Sequence, residues 1–493
     1  MTLPTSSVPK ATRPAGIDRR RLLKAGVAGA AAVPFASRLA GAASGPAGPV
    51  VPFPDGFLWG ASTSAYQIEG AHDVDGRTPS IWDTFSRTPG KVEDGHTGDI
   101  AADHYRRYPE DVALMANAGL KAYRLSTSWP RILPQGTGAV NAAGLDFYDR
   151  LVDALLAAGI QPWVCLYHWD LPQALQDRGG WLNRDIADWF VEYALVVSGR
   201  LGDRVRHWVM LNEPGVVSLI GHGAGGHAPD IRGRDSYFAS AHHQNLAQGR
   251  ALHAMRSAGG GRWELGTVLS VQPARPVTPT EPDIRAALVW DALWNRAFLD
   301  PLFKGAYPEA VRDGFAPLVR DGDMDAIRFP VDFLGLNYYS RMHMRADPGG
   351  LFGTAHGPAP QGTPYTGMPW PVEPDGLFEQ LMDFRDRYGN PPVYVTENGA
   401  AYPDPLGPDG RIEDGDRIGF LRDHLLWARR AIDQGCDLRG YFVWTLLDNF
   451  EWAFGYTKNF GLVRVELGTL RRVPKASYHW YAEVVRANAV PAA

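Results

Sequence analysis

Two glutamates occupy nearly matching frames 184 residues apart: Asn212-Glu213-Pro214 after the apolar run Trp208-Val209-Met210-Leu211, and Glu397-Asn398-Gly399 after Val393-Tyr394-Val395-Thr396. In each, a carboxylate stands where a buried strand gives way to a loop. Glycoside hydrolysis needs such a pair, one carboxyl as a protonated acid and the other as an ionised nucleophile or base. A single glutamate at a strand end is most simply a solvated cap or half of an ion pair. Two at equivalent strand ends point instead to chemistry.

For both to act on one bond, their strands must end at the same face. From Phe53 onward, short apolar runs alternate with amphipathic stretches, and no low-complexity linker follows the Gly/Pro/Ala stretch 41–50. That alternation predicts a parallel α/β fold. Strands are expected at 57–60, 122–126, 161–167, 205–211, 265–270, 333–338, 393–396 and 438–445, with helices at 144–158, 186–200, 242–257, 377–388 and 416–434. Eight strands fit a single (β/α)8 TIM barrel. Such barrels use about 250 residues, so a body near 440 implies long βα loops at the C-terminal face, the longest at 212–240 and 340–376. A doubly wound open sheet is the competing architecture, but no G-x-G-x-x-G follows an early strand. Gly259-Gly260-Gly261 lacks the Lys and Ser/Thr of a phosphate loop and reads as a turn.

Of 493 residues, 45% are apolar and 11% aromatic, ample for a large core. The net charge of −5 conceals an asymmetry, because residues 1–42 carry seven Lys/Arg and one Asp, leaving 42 basic against 53 acidic residues beyond them. So acidic a body argues against nucleic-acid partners. Cys165 and Cys436 are the only cysteines and show no CxxC spacing, so neither a disulfide framework nor a cysteine metal site is indicated. Asp18-Arg19-Arg20-Arg21-Leu22-Leu23-Lys24 resembles a twin-arginine signal; the weakly apolar run 25–35 and Ala40-Gly41-Ala42 follow as h-region and cleavage site. The run is too short for a stable membrane span, which takes about 20 apolar residues. The expected organisation is a signal peptide at 1–42, a flexible segment at 43–52 and one catalytic domain at 53–488, on a protein that is secreted or periplasmic. Oligomeric state is left open.

The remaining expected strand ends carry hydrogen-bonding and aromatic groups. Gln67 follows the first, Arg124 lies on the second, His168-Trp169-Asp170 ends the third, Asn337-Tyr338-Tyr339 the sixth and Trp444 the eighth. A pyranose presents hydroxyls in fixed directions and apolar C–H faces, so its site needs amides, carboxylates and imidazoles around an aromatic wall. Singly, each residue has a plain structural role: a core histidine, an ion-paired arginine, a loop cap. Their joint position at one barrel face is what a sugar site predicts.

At this point the chain resembles glycoside hydrolase family 1, the retaining β-glucosidase family, over about 53–485. The resemblance rests on Phe57-Leu58-Trp59-Gly60 running on to Tyr66-Gln67-Ile68-Glu69-Gly70, on Tyr167-His168-Trp169-Asp170, Asn212-Glu213-Pro214, Asn337-Tyr338-Tyr339, Thr396-Glu397-Asn398-Gly399, and on Trp444 through Asp448-Asn449-Phe450-Glu451-Trp452, in family order. It implies Glu397 as nucleophile and Glu213 as acid/base, with carboxyls about 5–5.5 Å apart. Arg124 and Tyr339 would keep Glu397 ionised, while Glu213 starts protonated. Gln67, His168, Trp169, Asn212, Asn337, Glu451, Trp452 and Phe460 would surround the terminal sugar over Trp444, with Trp370 on the leaving-group side. No cofactor or metal is implied. Thr127, Leu211 and Asn459 depart from the family pattern without removing a catalytic group, and they leave glucose, galactose or fucose open as the sugar, with transglycosylation also open. A 6-phosphoglycosidase is disfavoured because Glu451 would repel phosphate. A catalytically impaired sugar-binding relative would be expected to lose one glutamate. A metal-dependent hydrolase would need more ligands than His242-His243, which are expected at a helix start.

Overall fold

The β-branched and aromatic runs form eight parallel strands: β1 Leu58–Ser62, β2 Ala122–Ser126, β3 Gln161–Tyr167, β4 His207–Asn212, β5 Glu264–Ser270, β6 Phe333–Asn337, β7 Val393–Asn398 and β8 Leu438–Trp444. They close into a barrel in sequence order, β8 pairing with β1. Helices α1 His104–Ala118, α2 Ala142–Ala157, α3 Ile186–Leu201, α4 Arg234–Gly259, α5 Glu281–Asp291, α6 Asp375–Arg387, α7 Gly415–Asp433 and α8 Ala476–Ala487 follow the strands in turn. The fold is therefore the expected (β/α)8 barrel, seen in a computed structural model that describes residues 50–259 and 261–492. The signal expected at 1–42 lies outside the described residues.

Three expectations give way. Residues Val50–Pro52, assigned to a flexible segment, form a strand antiparallel to Ala489–Pro491, so the folded body extends past both proposed ends of the domain. Trp59 Nε1 fastens the same corner by donating to Asn488 Oδ1 at 2.9 Å. Helix α4 begins eight residues before the expected 242, in a polar first turn that hydrophobic periodicity does not mark. His242 and His243 are consequently buried inside it, bonded to Tyr307 and Asp323 and to the Trp181 carbonyl. The long 340–376 connection is not plain loop either, since Met342–Ala346 pairs with Thr354–His356 and with Ala274–Pro276 in a small sheet. Among the described residues no helix is long and apolar enough to cross a membrane.

One apolar cluster takes a residue from every barrel strand: Leu58, Ala122, Trp163, Cys165, Val209, Val268, Phe333, Tyr394 and Phe442. Its composition identifies the barrel interior. Trp163 is its hub, with rings of Tyr394, Phe333 and Phe442 edge-on at 4.7, 4.9 and 5.2 Å. Because side chains alternate along a strand, residues two or four further on return to the interior one or two layers higher. From Ala122 that is Arg124, from Phe333 it is Asn337 and from Phe442 it is Trp444. The apolar layer thus supports a polar one at the C-terminal mouth.

The loops over that mouth are tied from behind by buried charges. Lys475, just before α8, bonds Asp404 at 2.5 Å and Asp448 at 2.9 Å. Arg417 on α7 meets Asp404 at 2.8 Å and also Asp414, and it donates to the Asn459 carbonyl at 2.6 Å. Each charge has a partner, the condition under which burial is tolerated. The connections after β7 and β8 are so held together.

Candidate active site

The two glutamates reach the mouth by the same backbone device. Between Val209 and Asn212, β4 has one residue more than β5 opposite it. Between Val395 and Glu397, β7 has one more than β6, and between Val395 and Asn398 one more than β8. Each bulge shifts the alternation by one and re-aims the side chains beyond it. On an unbroken β4, Leu211 would follow Val209 into the interior; the bulge presents Asn212 instead. Glu213 then turns into the left-handed region at φ 50, ψ 60, with its N–H held by the Val268 carbonyl at 2.9 Å. Trp169 at φ 80 and Trp452 at φ 50 share that conformation. For non-glycine residues it costs on the order of 1–3 kcal/mol each, and such strain gathers at functional sites.

A chain of hydrogen bonds joins the carboxyls. Asn337 Nδ2 donates to Glu213 Oε1 at 2.7 Å and to Asn212 Oδ1 at 3.0 Å. Arg124 donates to the same Asn212 oxygen at 2.5 Å and to Glu397 Oε1 at 2.6 Å. The other Glu397 oxygen accepts from the Tyr339 hydroxyl at 2.7 Å. Glu397 is thereby gripped at both oxygens, one by a fixed cation, whereas Glu213 is bonded by a neutral amide. Burial, with the Glu397 charge added, pushes Glu213 up to about 8. Burial raises Glu397 as well, but the Arg124 guanidinium and the Tyr339 hydroxyl pull it back. The anion is favoured at Glu397 and the proton at Glu213.

The neighbouring groups are set to meet hydroxyls. With its oxygen committed to Arg124 and Asn337, Asn212 presents Nδ2 to His168 Nε2 at 3.0 Å. Burial, then the Arg124 charge, hold His168 well below the usual imidazole range, so the ring is neutral and carries its proton on Nδ1. Nδ1 is buried and has no partner among the described residues, leaving a donor for a ligand oxygen. Gln67 Nε2 lies 3.3 Å from Glu451 Oε2, and burial with the Glu397 charge raises Glu451 to about 8. The polar inventory matches a polyhydroxylated ring.

Aromatic surface flanks these groups. Trp444 and Trp452 lie nearly parallel to the His168 ring at 5.8 and 6.0 Å, and Trp169 packs on Trp452 at 4.5 Å. Trp169 Nε1 donates to the Asn212 carbonyl at 3.0 Å. Across the mouth, Tyr339 meets half-buried Trp370 at 5.1 Å and Phe460 at 6.1 Å, and these cluster with Met368, Ala401 and Trp444. Every residue given a site role by the family resemblance belongs to this one connected constellation, whereas of the other strand-end groups Tyr338 donates instead to the Glu373 carbonyl at 2.7 Å and Asp170 is buried apart from it.

Other contributors were not foreseen. Thr396 Oγ1 donates to Asn337 Oδ1 at 2.8 Å, fixing which way that amide faces. Ser64 Oγ donates to Gln67 Oε1 at 2.6 Å, and Asn449 Oδ1 accepts from Gln67 Nε2 at 3.0 Å. Thr396 directly precedes Glu397 and Asn449 lies inside a recognised motif, so adjacency was an available signal. The fifth strand, which offered no candidate side chain, contributes the Val268 carbonyl under Glu213. Among the described residues no group of three or more His, Cys, Asp or Glu is placed to hold a metal ion.

Comparison with known proteins fits this geometry. Residues 50–490 match the model of glycosyl hydrolase family 1. The chain is 46% identical over 441 residues to "Beta-glucosidase A" of Thermotoga maritima, covering 88% of this chain and 98% of that protein. It is 50% identical over 446 residues to "Thermostable beta-glucosidase B" of Thermobispora bispora, covering 88% and 91%. The structure superposes with TM-score 0.85 on the Thermotoga maritima β-glucosidase in complex with deoxynojirimycin, at 46% identity, over 89% of this chain and 99% of that one.

Proposed function

Because the chain belongs to glycosyl hydrolase family 1, we propose that it is a retaining exo-β-glucosidase that releases terminal β-D-glucosyl residues from cellobiose, short β-glucans or aryl glucosides. The observation that carries this reading is the unequal treatment of two buried carboxyls in one hydrogen-bonded chain, Glu397 held by Arg124 and Tyr339 and Glu213 by Asn337. Glu397 attacks the anomeric carbon while Glu213 gives its proton to the departing oxygen. Esterification removes the Glu397 charge, the burden on Glu213 falls, and Glu213 becomes the base that takes a proton from the incoming water. The released sugar keeps the β configuration.

Gln67, His168, Asn212, Glu451 and Trp452 bind the terminal sugar in this reading, over the Trp444 ring, with Trp370 facing the leaving group. Asn212 bonds the 2-hydroxyl, a contact that strengthens as positive charge develops at the anomeric carbon. A panel of nitrophenyl glycosides tests the assignment. The β-glucoside should be cleaved faster than the β-galactoside or β-fucoside, cellobiose should yield glucose, and β-glucose should appear first by NMR. Faster galactoside or fucoside cleavage would reassign the sugar, and α-glucose as first product would reject double displacement.

We also propose export in the folded state by a twin-arginine route, on the strength of Arg19-Arg20 before the leucines and of Ala40-Gly41-Ala42. Mass spectrometry of the exported protein should give Ala43 as first residue. A retained Met1 on the exported chain would contradict it.

A further inference from the structure

Behind the sugar-facing wall lies a second cavity that the reaction leaves unused. It is about 430 Å³ and is bordered by Asp448, Asn449, Tyr456, Asn459, Arg464 and the rim residue Leu467, 57% exposed. The size lies in the range of small-molecule sites, about 300–1,000 Å³, and far exceeds the needs of a single cation. Its lining mixes two carboxylates (Asp448 and Glu466, the latter ion-paired with Arg471), two amides, a guanidinium, a phenol ring and an aliphatic edge. That mixture suits a neutral polyol better than an ion, because both signs of charge are present and already balanced nearby.

Asp448 supplies the feature that marks a site. The residue is only 7% exposed, and its Oδ1 accepts from Lys475 Nζ at 2.9 Å and from the Gly461 N–H at 2.8 Å. Oδ2 is buried with no hydrogen-bond partner among the described residues. A buried carboxylate oxygen left unsatisfied is destabilising, and a hydroxyl donor in the cavity would relieve it. Asn449 also belongs to both sides of the wall. It lines the cavity, and its Oδ1 accepts from Gln67 Nε2, the group that lies 3.3 Å from Glu451 in the glycone site.

We propose that this cavity is a second monosaccharide site, taking free glucose through hydroxyl donation to Asp448 and Asn449. The choice of sugar rests on the proposed β-glucosidase function; the site itself does not. An occupant that donates to Asn449 Oδ1 shares that acceptor with Gln67, so occupancy and glycone binding influence each other reciprocally.

Titration calorimetry with two probes separates the sites. Deoxynojirimycin, which the Thermotoga relative binds, is first brought to saturation, and glucose is then titrated into the saturated protein. One glucose per chain should still bind. Leu467→Trp, which crowds the cavity from an exposed rim, and Asp448→Asn, which keeps the shape but removes the anionic acceptor, should each weaken that glucose at least tenfold. Leu467→Trp should leave deoxynojirimycin binding unchanged. Saturated protein that takes up no glucose overturns the proposal, as does either variant binding glucose like the parent. Failure of deoxynojirimycin to bind the parent would instead count against the glucosidase reading; glucose titrated alone would still decide the cavity by its loss in the two variants.

Discussion

Glu397→Gly should lower turnover of a β-glucoside by several orders of magnitude, and azide should restore it with an α-glycosyl azide as product. The size of the loss follows from the geometry. Both Glu397 oxygens are oriented, one by Arg124 at 2.6 Å and the other by Tyr339 at 2.7 Å, so the carboxylate is presented to the anomeric carbon at little further cost in entropy. Removing it also leaves the Arg124 guanidinium, fully buried, without its counter-charge. That cation and the vacated space together invite a small anion. Azide placed there attacks from the face Glu397 used, giving the anomer opposite to substrate. No Glu213 proton transfer is needed after that single displacement, so the product accumulates. A β-azide, or no rescue at all, would remove Glu397 from the nucleophile role. Glu397→Gln should also be inactive yet respond poorly to azide, because the amide fills the space.

How the chain hides and shows this site differs from residue to residue. Strand positions were legible because apolar runs of about six residues separated amphipathic stretches. The expected strand ends fall within two residues of those observed. Arg124, Asn337 and Trp444 were legible for the same reason, since simple alternation carries them from the inner apolar layer to the mouth. Asn212 and Glu213 obey no such rule: adjacent residues on a regular strand face opposite ways, and only the bulge after Val209 with the left-handed turn at Glu213 puts both in the site. Spacing alone does not encode an extra residue in one strand of a pair, because its register depends on the neighbouring strand. Family motifs supplied what periodicity could not. The start of α4 was missed because Arg234-Asp235-Ser236 carries no apolar stripe, and the 50–52 strand because its partner lies near the other end of the chain.

The second large effect concerns Glu213, whose role predicts a dependence on the leaving group and on pH together. In Glu213→Ala, glucosides with strongly acidic phenols should still load Glu397 at close to the parental rate, because such leaving groups depart without a proton. Alkyl glucosides and cellobiose should lose about 10²–10⁴-fold, the usual worth of general acid catalysis. Water attack on the glycosyl-enzyme then lacks its base, so acidic-phenol substrates should show a burst of phenol followed by slow turnover. For the parent enzyme, kcat/KM of a substrate needing the acid should fall as pH rises through about 8, where Glu213 loses its proton under the combined pressure of burial and the Glu397 charge. The sign follows from the role: the acid form is the active one, so activity is retained below that pKa and lost above it. With acidic-phenol substrates the burst rate of Glu213→Ala should show no such limb. Its persistence would assign the titration to Glu451, also raised to about 8 beside Gln67, and equal losses on both substrate classes would take the acid role away from Glu213.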